Sequence, residues 1–487
     1  MLGVPERRLL WRLGGLVGPL LLTQSIFILY SRHGDWFFLD DFLGFIVARE
    51  SGLTWHYIRH DVFGQFAPGY RLLDYLYFQS LGLNYTGVRL FDVVTMASMT
   101  ISLTLLMRRW RSPLARGGLA LALVPYSPIF SVIFQWFSAA LHVLPATGFI
   151  LVSLVILARP AALTWRHRCA AAAFYAAALM FYAKMLFASI LFLGLRLAVT
   201  TATAPRVSRA IMQALVDILP CVPVAALYLT IVVTGGYHSG TPPTSIGCVL
   251  EFLRIGLLNG FACNMFGFDA ALPGRQAVAM IALLTPIILL CWKNPNLAWL
   301  WVAFCIQFAL ALAAIAWGRV VGFGPQLAAL SRYHCDSAVL YAACLIISTG
   351  AFWRRPAQQA SNAAGQPTEG LSGRLGIVAV LAFAAYLSGA SLRQPLLYEN
   401  DNGTIAHYVQ HLHATMEAVP VDVPIEDVTL PDWLMPGWMA PHNHLSDFIL
   451  LFKSAHAFTD ARNAGVTIDA NGQIAGPWRL APPAASH

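Results

Sequence analysis

The chain has little charge to spend on a water-facing surface. Only 11% of its 487 residues are Asp, Glu, Lys or Arg, while 58% are hydrophobic, and a soluble domain carries about 25% charged residues. A soluble globular protein is therefore excluded. Lysine is scarcest of all: Lys184, Lys293 and Lys453 are the only ones, and arginine supplies the rest of the basic charge. The eight cysteines are scattered, with no close pair at metal-ligand spacing. Cys248 and Cys263 could meet as a disulfide, and unpaired membrane cysteines are the alternative. There is no HExxH pattern and no internal repeat. No small-residue cleavage site follows the basic start of Glu6, Arg7, Arg8 and Arg12, so the first apolar run reads as an uncleaved span. The net charge of +8 reflects arginines at helix ends, the usual orientation signal of a membrane protein, and implies no nucleic acid partner.

What the chain has in abundance is apolar sequence near bilayer length. Runs occur at 13–30, 87–107, 117–135, 137–158, 169–182, 185–199, 211–233, 276–292, 297–317, 335–352 and 375–390, where a span needs about 20 residues. The expectation is an all-α polytopic membrane protein with about eleven transmembrane helices, multi-pass in the plasma (inner) membrane. With the N-terminus cytoplasmic, Arg108, Arg109, Arg111, Arg116, Arg159, Arg166, Arg168, Arg206, Arg209, Lys293, Arg354, Arg355 and Arg374 all fall in cytoplasmic connections. Two joints are ambiguous: 117–158 is nearly continuous, and 169–199 is broken only by Lys184. Charge bias favours two short spans there, with Lys184 at the outer turn.

The acids are one-sided. Glu6 and Glu369 fall in cytoplasmic segments, whereas Asp35, Asp40, Asp41, Glu50, Asp61, Asp74, Glu251, Asp269 and the acidic tail fall outside. Carboxylates contribute little to topology, so this distribution asks for another cause. Three outer segments are long. Residues 31–86 include an amphipathic stretch at 35–50 with Trp36, Phe37, Phe38, Phe42 and Phe45, suited to an interfacial helix. Residues 234–275 open on a Gly- and Pro-rich turn and continue as a second interfacial helix. Residues 391–487 form a small outer C-terminal region beside a transmembrane domain at 1–390, and 353–374 reads as a cytoplasmic linker.

The sharpest local feature is Asp40-Asp41 in HGDWFFLDDFLGF, just after the first span. Two adjacent carboxylates at a membrane edge are costly unless they pair with cations, bind a metal or hold a proton. On a helix they point about 100° apart, so one could face a cavity while its neighbour caps or pairs. Ordinary surface acids on a solvated helix are the plain alternative. An acidic pair in a first outer helix, many spans and a small outer C-terminal region together resemble the GT-C superfamily of membrane glycosyltransferases. The segments FYAKMLF around Lys184, SRYHCDSAVLY around Arg332 and Tyr333, and DWLMPGWMAPHNHLSD in the tail are similar to bacterial members.

The resemblance implies sugar transfer from a polyprenyl-phosphate donor to a glycan, lipid or protein of the cell envelope, on the non-cytoplasmic face and with inversion. One carboxylate of the pair would be the general base, Asp40 ahead of Asp41 because the first acid of such a pair matches the family's motif. Lys184, Arg254, Arg319 and Arg332, with Tyr333, would hold the donor phosphate and stabilise its departing charge. A second carboxylate beside the base is compatible with a divalent ion, magnesium or manganese, at Asp40 or Asp41, and equally with a site built of cations alone. His56, Arg59 and His60 in WHYIRHD form a secondary, acceptor-side candidate; His56 and His60 share a helix face at i, i+4. Asp74 pairs with Arg71 at i, i+3. The tail histidines His407, His411, His413, His442 and His444 are spaced loosely, with loop hydrogen bonding as the default. A transporter or flippase of a lipid-linked saccharide is the competing class. It predicts repeats and mid-membrane ionisable groups. The sequence shows no repeat, and its acids lie at the interface rather than mid-span, with Asp92 and Asp217, near or within spans, read as polar packing contacts.

Overall fold

The computed structural model describes residues 4–30, 36–62, 64–110, 112–160, 162–202, 206–237, 242–243, 245–360, 370–393, 401–452 and 456–475. Asp35, Glu369, Glu399 and Lys453, and the core of the expected linker, lie outside the described residues. The chain is almost wholly helical. Helix α1 (Val4–Tyr30) is followed by α2 (Asp40–Ser51), α3 (Trp55–Ile58) and α4 (Pro68–Leu81). Then come α5 (Tyr85–Trp110), α6 (Leu114–Tyr126), α7 (Phe137–Leu157), α8 (Trp165–Leu179) and α9 (Ala188–Thr201). The bundle continues with α10 (Val207–Ile218), α11 (Cys221–Thr234), α12 (Ile246–Ile255), α13 (Asn264–Phe266), α14 (Arg275–Lys293) and α15 (Ala298–Phe323). It closes with α16 (Cys335–Ala360), α17 (Gly370–Arg393), α18 (Asp401–Ala418) and α19 (Leu445–Phe448).

Seven helical segments are long and apolar enough to cross a membrane, and α10 with α11, bent by 53°, makes up to eight. Apolar stretches at Val17–Leu29 and Cys335–Ala351 are shorter. The protein is a multi-pass, all-α membrane protein. One of the seven, Ile246–Phe266, falls where the sequence suggests an interfacial outer loop. Its middle, Gly256–Cys263, is wound as a π-helix against α14 and the Pro325–Ala329 turn. Gly260 is required there, since a Cβ would lie 2.2 Å from the His334 ring and 2.3 Å from the Ala328 carbonyl. The 169–199 run divides as expected, into α8, a 3₁₀ turn at Ala183–Phe187 carrying Lys184, and α9. Cys248 and Cys263 are free thiols and not a disulfide.

Opposite ends of the bundle are built differently. At one, Asp217 of α10 accepts Arg196 of α9 at 2.6 Å and Arg168 of α8 at 2.8 Å, while Arg196 also donates to the carbonyls of Leu157 and Arg159. That network ties the ends of α7, α8, α9 and α10 together. At the other end, α2 folds against the C-terminal region and against α3 and α4. Phe37, Phe42 and Phe45 are fully buried in a core shared with Tyr408, Leu412, Leu434 and Phe448. The aromatic face of α2 is therefore covered by protein, not laid in lipid: Phe45 packs on Tyr77 and Phe78 of α4 and Phe137 of α7, and Phe42 on Phe448 of the tail. A short parallel pairing of Ile425–Glu426 with Phe458–Thr459 staples the tail. Gly44 lets α2 sit close on α4: a Cβ there would meet Asp74 Oδ2 at 2.9 Å.

Candidate active site

Asp40 and Asp41 open α2, where two negative charges suit the positive end of the helix dipole. The residue before them, Leu39, has φ 39° and is the one non-glycine residue with positive φ among those described. Such backbone costs roughly 1–3 kcal/mol and persists where the surroundings enforce it. The two acids then part. Asp41 is buried and accepts the Phe38 N–H at 2.9 Å on Oδ2 and the Ser138 N–H at 2.7 Å on Oδ1. Ser138 lies in the first turn of α7, so Asp41 caps a helix that has no side-chain cap of its own. Burial raises the Asp41 pKa well above the ordinary carboxylate range, opposed by those two amides and assisted by the charges of Asp40 and Asp74.

Asp40 points into a cavity of about 400 Å³. Burial pushes its pKa up to about 6, and the positive charges of Arg332 and Arg319 hold it from rising further. His142, Tyr182, Lys184, Arg319, Arg332 and Tyr333 line the same cavity. Its flank is apolar, built by Leu229 and Val232 of α11 and by Ala311, Ile315 and Trp317 of α15. The space thus has a charged end and a greasy side.

The cations are held in two ways. Arg332 donates to the Tyr333 hydroxyl at 3.0 Å and stacks over the Trp136 ring at 4.1 Å, and Arg319 donates to the same hydroxyl at 3.2 Å. Arg332 has no ion pair among the described residues, so its charge is directed at the cavity and Asp40. Lys184 is different. Its ammonium is 2.7 Å from Asp336 Oδ1 and also donates to the Tyr333 carbonyl and Ser337. With side-chain exposures of 2% and 0%, this is a buried, compensated pair, and its positive charge is largely spent on Asp336.

Other expected residues lie elsewhere. Arg254 does not line the cavity; it is exposed and clasps Glu251 through two hydrogen bonds of 2.8 and 2.7 Å. The reason is the face of α12, which turns Val249, Phe252 and Ile255 inward and this pair outward. His56, Arg59 and His60 are exposed and outside the cavity lining. They reach it through one contact, the hydroxyl of cavity residue Tyr237 donating to the Arg59 carbonyl. The expected Arg71–Asp74 ion pair is absent among the described residues. Arg71 donates to the Asp61 carbonyl at 2.8 Å and lies over the Tyr57 ring, and Asp74 receives the Tyr57 hydroxyl at 3.3 Å. Burial raises the Asp74 pKa to about 7. With both Asp41 oxygens taken by amides, the pair does not present two carboxylates to one ion.

Three contributors escaped the sequence. His142 is stacked on Tyr70 at 4.1 Å, bonded through Nδ1 to the Phe181 carbonyl, and leaves Nε2 without a partner at the cavity wall. Asp336 and Trp136 set the state of Lys184 and Arg332. Asp336 sits inside SRYHCDSAVLY, where an acid opening an apolar run was a readable signal; His142 and Trp136 had none.

No protein-family model matches the chain, and no curated protein matches it. Among solved structures, the chain is similar to the crystal structure of ArnT from Cupriavidus metallidurans bound to undecaprenyl phosphate. That likeness has 14% identity and a TM-score of 0.48, over 91% of this chain and 86% of that one. It is also similar to the cryo-EM structure of the arabinofuranosyltransferase AftD from Mycobacteria, at 13% identity and a TM-score of 0.41, over 92% of this chain and 32% of that one. At these identities the likeness assigns no residue role.

Proposed function

We propose that this protein is a GT-C-type, inverting glycosyltransferase with eleven transmembrane helices, taking a hexosyl or pentosyl group from a polyprenyl-phosphate donor. The acceptor is a hydroxyl of a cell-envelope glycan, lipid or protein, and the site opens to the extracytoplasmic side of the inner membrane. The observation that carries this is Asp40 facing Arg332 and Arg319 in a cavity with an apolar flank. A lipid phosphate needs cations for its head and hydrocarbon surface for its chain, and both meet there.

In this mechanism ionised Asp40 removes the proton of the acceptor hydroxyl as that oxygen attacks the anomeric carbon. The bond from the anomeric carbon to the phosphate oxygen breaks, and the leaving polyprenyl phosphate keeps the electron pair. Arg332 and Arg319 stabilise the charge that builds on it, Arg332 by planar contact to phosphate oxygens. Tyr333 fixes both guanidinium groups, and the Lys184–Asp336 pair braces the wall beneath them. Asp41 positions α2 and takes no part in the proton transfer. The test is transfer of a radiolabelled sugar from polyprenyl phosphate by reconstituted protein. Asp40→Asn is expected to lose roughly 10²–10⁴-fold in rate and Arg332→Ala roughly 10²–10³-fold. Full activity in Asp40→Asn sinks the role of the base, and movement of lipid-linked sugar across the bilayer with no glycosidic product favours a flippase instead.

A further inference from the structure

The tail histidines are not absorbed by the cavity, and His442 and His444 both lack the loop hydrogen bond that would explain them. His442 Nδ1 is buried and has no hydrogen-bond partner. Two carboxylate oxygens face that atom, Asp447 Oδ2 at 3.5 Å and Glu50 Oε1 at 3.7 Å. The three ligand atoms lie within 4.8 Å of one another.

Those spacings fit neither plain alternative. An N–H···O hydrogen bond closes to about 2.7–3.2 Å, and a charged one to about 2.7–2.9 Å, so a protonated imidazole between two carboxylates would draw them in. A neutral imidazole would leave two like charges converging on one point with nothing between them. Ligands around a tetrahedral ion at about 2.0–2.1 Å stand roughly 3.4 Å apart, close to the 3.5 and 3.7 Å between the imidazole nitrogen and the two carboxylates. The neighbouring His444 also leaves Nδ1 without a hydrogen-bond partner, but one carboxylate faces it, Asp427 at 3.8 Å, and that group is already taken by the Ser446 N–H and hydroxyl at 2.9 and 3.0 Å.

We propose that Glu50, His442 and Asp447 bind one first-row divalent cation, zinc by preference, fastening the C-terminal region to α2. An imidazole among carboxylates suits zinc better than calcium or magnesium, which take oxygen ligands. Partial exposure of all three side chains, 37%, 25% and 27%, leaves a position for water. Glu50 is near the C-terminal end of the helix that Asp40 begins, about 15 Å away along the axis, so the ion holds the far end of the helix that carries the base.

The test is direct. Full-length protein in detergent is stripped with chelator and titrated calorimetrically with zinc chloride, and its thermal midpoint is measured with and without zinc. Wild type is expected to bind one equivalent and to gain stability from it. Glu50→Gln, the change at the most exposed ligand, and the triple variant Glu50→Gln/His442→Phe/Asp447→Asn are expected to bind at least tenfold more weakly and to lose the zinc-dependent stabilisation. Asp40→Asn is expected to bind zinc as wild type does, which separates this site from the cavity. Absence of stoichiometric binding in wild type, or unchanged affinity in Glu50→Gln and the triple variant, overturns the proposal.

Discussion

At Asp40 the fold keeps a carboxyl group beside two arginines in a half-enclosed space, with its pKa raised to about 6. The working form of a base is the carboxylate, so transfer is expected to rise as pH climbs through about 6 and then level. A flat profile from pH 5 to 8 would remove Asp40 from the proton transfer. The same shift makes a stability statement. A raised pKa means the folded protein holds this proton more tightly than the unfolded chain, so stability present at acid pH is lost as pH rises through about 6. Asp40→Asn removes that loss, and the dead variant is expected to melt above wild type at pH 7.5. Asp41→Asn is the contrast. An amide in its place accepts one of the two N–H groups and presents a donor to the other, leaving a buried donor unmet at about 1–3 kcal/mol, so this variant melts lower. Sequence made the pair conspicuous but not the division of labour, because the two roles depend on where the first turn of α7 arrives, a contact between residues 97 apart.

Among elements, the boundaries that periodicity could reach were the apolar runs themselves, and each run named from the sequence overlaps a helix. However, 117–135 is α-helical only to Tyr126, 211–233 is bent between α10 and α11, and seven to eight helical segments are long enough to cross a membrane. What periodicity could not reach was which face of a helix meets which neighbour. Arg254 belongs to a helix whose apolar side faces the bundle, so a cation in the right stretch of chain ends on the wrong surface. Asp217 is the opposite case, an acid inside an apolar run that joins three helices. Removing it by Asp217→Ala leaves Arg196 buried without its counter-charge and Arg168 unpaired, a change worth about 3–5 kcal/mol. Thermal unfolding in detergent is expected to show that loss. The paired change Arg196→Met/Asp217→Leu is expected to recover much of it, since no charge is then stranded.

The molecule as a whole is one bundle whose ends do different work, and the C-terminal region belongs to the end that holds the cavity. Ile405, Tyr408, Leu412, Leu434 and Phe448 share a core with Phe37, Phe42 and Phe45, the residues that flank and follow Asp40. Composition marked the tail as polar and small, which predicts marginal stability alone; it did not reveal that the first outer segment completes the tail's core. The consequence is separable from membrane insertion, because every span precedes Asp401. A chain ending at Arg393 is expected to enter the membrane with all its spans, while Phe42 of α2 loses the cover of Phe448. Hydrogen exchange in α2 should then quicken, and sugar transfer should fall to the level of Asp40→Asn although no cavity-lining residue has been removed. Full transfer by that truncated chain, with α2 protected as before, would mean that the bundle alone positions Asp40.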